Sequence, residues 1–146
     1  MIIFIAVMYV ITRSRIENYF DSLGVDEETT LEDDGFVTTF IIDYDGFQSE
    51  VVLTTDEFNI KLELYFSLVS FSNELLNELN EFNRYSKYLK AYYSMANEAV
   101  IISTTQMFQN SKYEDILEHA LNSLVNLDSE YIEKLHRLCY GGSKNE

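Results

Sequence analysis

The feature that most limits the fold of this chain is the dipeptide Asp45-Gly46, which stands between two segments rich in β-branched and aromatic residues. An Asp-Gly pair readily adopts the positive φ angles that a two-residue β-hairpin turn needs, and such a turn fixes the register of both strands. Three cross-strand pairs follow: Tyr44 with Phe47, Ile42 with Ser49, and Phe40 with Val51. The sequence therefore predicts an antiparallel hairpin with one apolar, buried face.

Three more strands are predicted after this hairpin. Residues 58–68 alternate strictly, which places one set of side chains inward and the other outward. The inward set is Phe58, Ile60, Leu62, Leu64, Phe66 and Leu68, and the outward set is Asn59, Lys61, Glu63, Tyr65 and Ser67. Tyrosine and β-branched residues predict two further strands, at 88–95 and 98–105, joined by a tight turn.

Helices are predicted where apolar residues recur every three or four positions. The first covers 16–23, the second is capped by Ser72 or Asn73, and the last begins near Tyr113 and starts again at Asp128. The acidic run at 26–34 is interpreted as a loop. The predicted order is α-β-β-β-α-β-β-α, an α+β fold in which helices pack on one face of an antiparallel sheet.

One domain, at 12–140, is expected between an apolar N-terminal extension at 1–11 and a polar tail at 141–146. The extension is too short to span a membrane, which takes about 20 apolar residues, so we expect no membrane role and a cytoplasmic location. Two interpretations of the extension stay open. It begins a buried strand or helix, or it precedes a native start at Met8.

The charge is very uneven along the chain. Thirteen carboxylates and no lysine or arginine lie between Ile16 and Ile60, whereas the formal net charge of the whole chain is −15. Such a concentration of negative charge influences binding partners and association rates rather than the fold. It also argues against direct nucleic-acid binding, which needs basic residues. We expect a protein partner that is basic or partly unfolded. The residues predicted to contact it are Glu27, Glu28, Glu32, Asp33, Asp34, Asp43, Asp45, Gln48, Glu50 and Tyr65.

One segment resembles a known family. The run LLNELNEFNRYSKYLKAYYSMANEAVIIST, residues 75–104, resembles the central signature of the YbjN family, with Asn80 and Asn83 as the paired asparagines of its leucine-rich helix. The resemblance implies the fold of class I type III secretion chaperones, which are small, acidic, often dimeric proteins. These hold an extended segment of a client protein and perform no chemistry. The resemblance carries no catalytic residue.

No constellation of residues predicts catalysis, and no cofactor or metal is expected. The acidic run does not match the ligand spacing of an EF-hand around Gly35 or Gly46. His136 and Cys139 share a face of the last helix, but two ligands do not complete a structural zinc site. The single cysteine excludes an internal disulfide.

Two functional hypotheses remain. The first is a non-enzymatic protein-binding module, a YbjN-like regulator or chaperone-like protein. The alternative is an acidic mimic of a polyanion such as DNA, which would inhibit a nucleic-acid enzyme as phage or mobile-element proteins do. A homodimer is also compatible with the apolar stripe of the last helix, whose residues Leu121, Leu124, Tyr131, Leu135 and Leu138 suit a core or a partner equally well.

Overall fold

The computed structural model describes residues 21, 27–32, 35–55, 59–107 and 113–140. These ranges contain six strands and three helices. The strands are β1 (Glu27–Glu32), β2 (Gly35–Tyr44), β3 (Phe47–Thr55), β4 (Asn59–Ser67), β5 (Lys90–Ser94) and β6 (Ala99–Met107). The helices are α1 (Asn73–Tyr85), α2 (Tyr113–Val125) and α3 (Ser129–Cys139). The predicted helix at 16–23 lies outside the described residues except for Asp21, which is helical.

All six strands form one antiparallel sheet in the order β1-β2-β3-β4-β6-β5. The predicted hairpin register is confirmed, since Tyr44 pairs with Phe47, Ile42 with Ser49 and Phe40 with Val51. The turn takes the expected positive φ angles, 53° at Asp45 and 98° at Gly46. A side chain at Gly46 would be strained at that φ, so the turn depends on glycine.

The prediction of a loop at 26–34 is wrong for Glu27–Glu32, which form β1 and pair with Gly35–Phe40 of β2. Acidic residues are uncommon in strands, but this segment also contains the β-branched residues Thr29 and Thr30. Main-chain pairing with β2 stabilises the strand in spite of the acidic residues. Charged residues are common on edge strands, where they discourage association with other sheets.

The helices lie on one side of the sheet, and this part of the predicted architecture is confirmed. Inward residues of the strands and apolar residues of the helices form one core, whose fully buried members include Phe66 of β4, Leu75 of α1 and Leu117 of α2. As predicted, Ser72 caps the N-terminus of α1, since its hydroxyl accepts a hydrogen bond from the Leu75 amide at 3.1 Å. Two residues of the predicted apolar stripes, Leu76 and Val125, are exposed instead.

The apolar stripe of the C-terminal helices belongs to the core. Leu121, Leu124, Leu135 and Leu138 are buried within the chain, and Tyr131 packs against them. The stripe is therefore filled by this chain's own sheet and does not call for a second copy. None of the described helices has the length and apolar character needed to cross a bilayer.

Candidate functional site

The sheet face opposite the helices, called here the outer face, carries the side chains that strand alternation turns away from the core. The core cluster contains none of them. The central members of the outer face are Ile41 of β2, Glu50 and Val52 of β3, Lys61, Glu63 and Tyr65 of β4, Tyr92 of β5, and Ile101 and Ser103 of β6.

One cross-strand row runs over five neighbouring strands of this face. Ile41 pairs with Glu50, Glu50 with Tyr65, Tyr65 with Ile101, and Ile101 with Tyr92. Ile41 is 50% exposed and Tyr92 is 41% exposed, whereas Ile101 between the two tyrosines is only 1% exposed. The outer face thus combines accessible apolar surface at its sides with a well-packed centre.

A carboxylate lies in the middle of the face. Glu63 is 9% exposed, although strand alternation places it away from the core. The Tyr92 hydroxyl donates to Glu63 Oε2 at 3.2 Å, and the Tyr65 hydroxyl donates to Oε1 at 3.5 Å. Lys61 Nζ lies 3.7 Å from the same Oε1. A carboxylate this deeply placed needs such partners, because its desolvation would otherwise be costly.

The electrostatics of the two tyrosines reflect this carboxylate. Burial raises the pKa of Tyr65 above its ordinary value, and the charge of Glu63 raises that pKa further. The pKa of Tyr92 is raised by the same two causes in the same order. Both phenols therefore stay protonated at neutral pH and remain hydrogen-bond donors to Glu63.

Two predicted contact residues at the hairpin tip, Asp43 and Asp45, accept hydrogen bonds within the chain. Asp43 Oδ1 accepts a hydrogen bond from the Gly46 amide at 2.7 Å, and Asp45 Oδ2 accepts one from the Ser129 hydroxyl at 3.0 Å. Both aspartates are exposed, as is Gln48, which pairs across the hairpin with Asp43. Asp43 and Gln48 lie on the outer face near the turn, whereas Asp45 lies in the turn itself and contacts α3.

The predicted acidic residues do not gather at one place. Glu27, Glu28 and Glu32 belong to the edge strand β1, Glu50 lies near the middle of the sheet, and Asp33 and Asp34 lie outside the described residues. Of the predicted set, the structure brings together two pairs of direct cross-strand partners, Asp43 with Gln48 and Glu50 with Tyr65.

The comparisons with known proteins agree with the fold. A family model described as YbjN, "putative bacterial sensory transduction regulator", matches residues 12–124, which is more than half of the chain. The chain belongs to the YbjN family. Among solved structures, a chain of the crystal structure of the ExsC–ExsE complex is similar to this YbjN protein with a TM-score of 0.61 at 15% identity. The match covers 92% of this chain and 100% of that chain. Comparison with curated proteins gives no match.

These findings confirm the resemblance to the YbjN family and the secretion-chaperone-like fold that it implies. At 15% identity the structural likeness establishes the fold alone. The partner-contact residues predicted for this YbjN protein stay predictions.

Sequence reasoning missed Glu63 and Tyr92 of this YbjN protein. Alternation places Glu63 outward, but its burial depends on β6 and β5 lying beside β4 in that order. The signal available in the sequence was the tyrosine pair at 92–93, whose alternate members must face opposite sides of a strand.

A serine–histidine contact lies on the other side of the sheet. His136 Nε2 is 3.2 Å from the Ser49 hydroxyl, and its ring packs on Phe47 and Phe66. Ser49 is 2% exposed, so this contact offers no access to a substrate and joins α3 to β3. Within the described ranges, no group of three or more His, Cys, Asp or Glu residues is arranged to hold a metal ion.

Proposed function

We propose that this YbjN-family protein works without catalysing a reaction, as a regulator or chaperone-like protein that binds a partner protein across the outer face of its sheet. The observation that carries the proposal is the contrast between the two faces. The helices cover one face, whereas the other presents the exposed side chains of Ile41 and Tyr92. Accessible apolar and aromatic side chains that lie among polar ones are a feature of protein-binding surfaces.

The comparison supports this kind of function. The similar chain comes from a structure of two proteins in complex, ExsC with ExsE. The partner proposed here is basic or partly unfolded, because the acidic stretch at 16–60 would attract such a segment and raise its association rate.

The alternative, a mimic of a polyanion, has less support. A mimic presents carboxylates without counter-charges, yet Lys61 lies two positions before Glu63 on the same strand face, and Lys90 pairs with Ser103, the cross-strand partner of Glu63. The predicted acidic residues are also spread from the edge strand β1 to the centre of the sheet.

The test is site-specific crosslinking in cells of the native host. A photoreactive phenylalanine derivative replaces Ile41 on the outer face in one variant and Val125 at the end of α2 in the other. The two positions are matched, since their exposed fractions are 50% and 51%. We expect a partner protein to be crosslinked at position 41 and not at position 125. Equal crosslinking at both positions, or none at 41, contradicts the proposal.

Salt then separates the two functions. Tagged protein is used to capture partners, with parallel washes at low and high salt. Retention of a partly unfolded client through the high-salt wash supports the chaperone-like function. Loss of a nucleic-acid enzyme rich in lysine and arginine at high salt supports the polyanion mimic, because binding that depends on many ion pairs weakens steeply with salt.

A further inference from the structure

The Glu63 carboxylate does not use its full capacity to accept hydrogen bonds. Its three partners lie at 3.2, 3.5 and 3.7 Å, whereas hydroxyl hydrogen bonds to a carboxylate are ordinarily about 2.5–2.7 Å long. A carboxylate has about four acceptor positions, and the cation beside it, Lys61, has a side chain that is 45% exposed. The carboxylate is thus set in place but can accept shorter, stronger hydrogen bonds.

The surroundings of this carboxylate favour a planar cation. Glu50 lies directly opposite Tyr65, so two carboxylates flank that ring, and Tyr92 supplies a second ring on the other side of Ile101. Aromatic faces attract cations within about 6 Å, and a guanidinium both stacks on rings and binds a carboxylate through two parallel hydrogen bonds. An ammonium group lacks this planar fork.

We propose that Glu63, Tyr65 and Tyr92 form a subsite for an arginine side chain of the bound partner. The guanidinium displaces the Lys61 ammonium from Glu63, and Tyr65 and Tyr92 flank it. This inference rests on the proposed function, since it assigns one recognition element of the partner to a place on the outer face. It is narrower, because a partner can bind this face without an arginine at that place.

The test uses a defined probe, a fluorescein-labelled peptide in which two arginines alternate with valines. Its counterpart carries citrulline, which has the shape of arginine without the charge, and a third peptide carries lysine. Binding is measured by fluorescence anisotropy at physiological salt. We expect the arginine peptide to bind about tenfold more tightly than either counterpart, as a charge-assisted bidentate pair would give.

The matched variants are Glu63→Gln and Glu118→Gln. Glu118 is an exposed carboxylate of α2, on the helical side of the molecule, so both variants remove one charge. We expect Glu63→Gln to abolish the preference for arginine over citrulline and Glu118→Gln to retain it. Absence of arginine-dependent binding to the natural chain, or an equal loss in both variants, overturns the proposal.

A second pair of variants covers the case in which Glu63→Gln does not fold. Tyr92→Phe keeps the ring and removes the hydroxyl, and Tyr92→Leu removes the ring. We expect the phenylalanine variant to bind the arginine peptide as tightly as the natural chain, and the leucine variant to bind it about threefold more weakly. Equal affinities of the two variants overturn the proposal. Crosslinking at position 41 without any arginine preference defeats this inference alone, and absence of that crosslink defeats the proposed function.

Discussion

The side-chain amide of Asn83 pairs with both polar backbone groups of Ala91. Asn83 Nδ2 donates to the Ala91 carbonyl oxygen at 2.8 Å, and the Ala91 amide donates to Asn83 Oδ1 at 2.7 Å. These are the hydrogen bonds that a residue of a neighbouring strand would make. Because β5 is an edge of the sheet, a side chain of α1 here takes the place of a seventh strand. This gives a physical role to one of the asparagines on which the YbjN resemblance rests.

Replacement of Asn83 should cost stability. Asn83→Ala leaves both polar groups of Ala91, a buried residue, without these partners, and we expect the free energy of unfolding to fall by about 1–3 kcal/mol. Urea denaturation followed by circular dichroism measures the change. The control is Asn80→Ala at an exposed position of the same helix, which should change stability by less than about 0.5 kcal/mol. Equal effects of the two variants would show that the amide–backbone pair adds nothing.

The same substitution should also make the protein more prone to self-association through the edge strand β5. With Asn83 gone, the outward amide and carbonyl of Ala91 can pair with a strand of another molecule. We expect Asn83→Ala to show a concentration-dependent increase in mass by size-exclusion chromatography with light scattering, relative to both the natural chain and Asn80→Ala. A mass that stays constant as the protein concentration rises would rule out this effect.

A buried hydroxyl joins the sheet to the end of α2. The Tyr44 hydroxyl donates to the Leu124 carbonyl oxygen at 2.7 Å, and the Leu127 amide donates to the same oxygen at 3.2 Å, so the hydroxyl is a second, shorter partner of a carbonyl in the last turn of α2. We expect Tyr44→Phe to lower the free energy of unfolding by about 1–2 kcal/mol. Tyr85→Phe is the control, since Tyr85 is 75% exposed and should lose almost nothing. Thermal or urea denaturation of both variants decides the question.

The parts of the fold that could be predicted are those set by short-range patterns. The turn at Asp45-Gly46 specifies its own geometry, and the alternation on either side specifies which residues face the core, so the hairpin register could be deduced. β1 could not, because Glu27–Glu32 has weak strand character of its own and forms by pairing with β2. Its existence depends on a partner strand rather than on its own residues.

The candidate site was predictable only in part, for the same reason. Glu50 and Tyr65 could be placed on the outer face from their strands alone. The contact between Glu63 and Tyr92 joins β4 to β5, two strands separated by β6 in the sheet and by α1 in the sequence. Strand order is decided by how the connections and helices pack together, and no local pattern records it.

His136 should make stability depend on pH. Burial lowers the pKa of His136 from its ordinary value of 6.5, so the unfolded chain binds a proton that the folded chain does not. Stability should therefore fall as the pH drops below about 6.5, by up to about 1.4 kcal/mol per pH unit, until the folded pKa is reached. We expect His136→Gln to reduce this loss between pH 7.5 and 5.5, measured by urea denaturation. His119→Gln, at an exposed position, should leave it unchanged. The same pH dependence in all three proteins would contradict the prediction.

The thiol of the single cysteine should react very slowly in the folded protein. Cys139 is fully buried, and burial raises its pKa to about 11, so roughly one thiol in a thousand is ionised at pH 8 even before access is considered. In the folded protein, we expect a disulfide reagent such as DTNB to react with Cys139 only as fast as the protein opens to expose the thiol. After unfolding in urea, the reaction should be complete within seconds. In a Val125→Cys variant, the added exposed thiol should react at once and Cys139 should remain slow, which gives a trace of two phases. A single fast phase in that variant would mean that Cys139 is accessible in the folded state, and that α3 does not stay packed against the sheet.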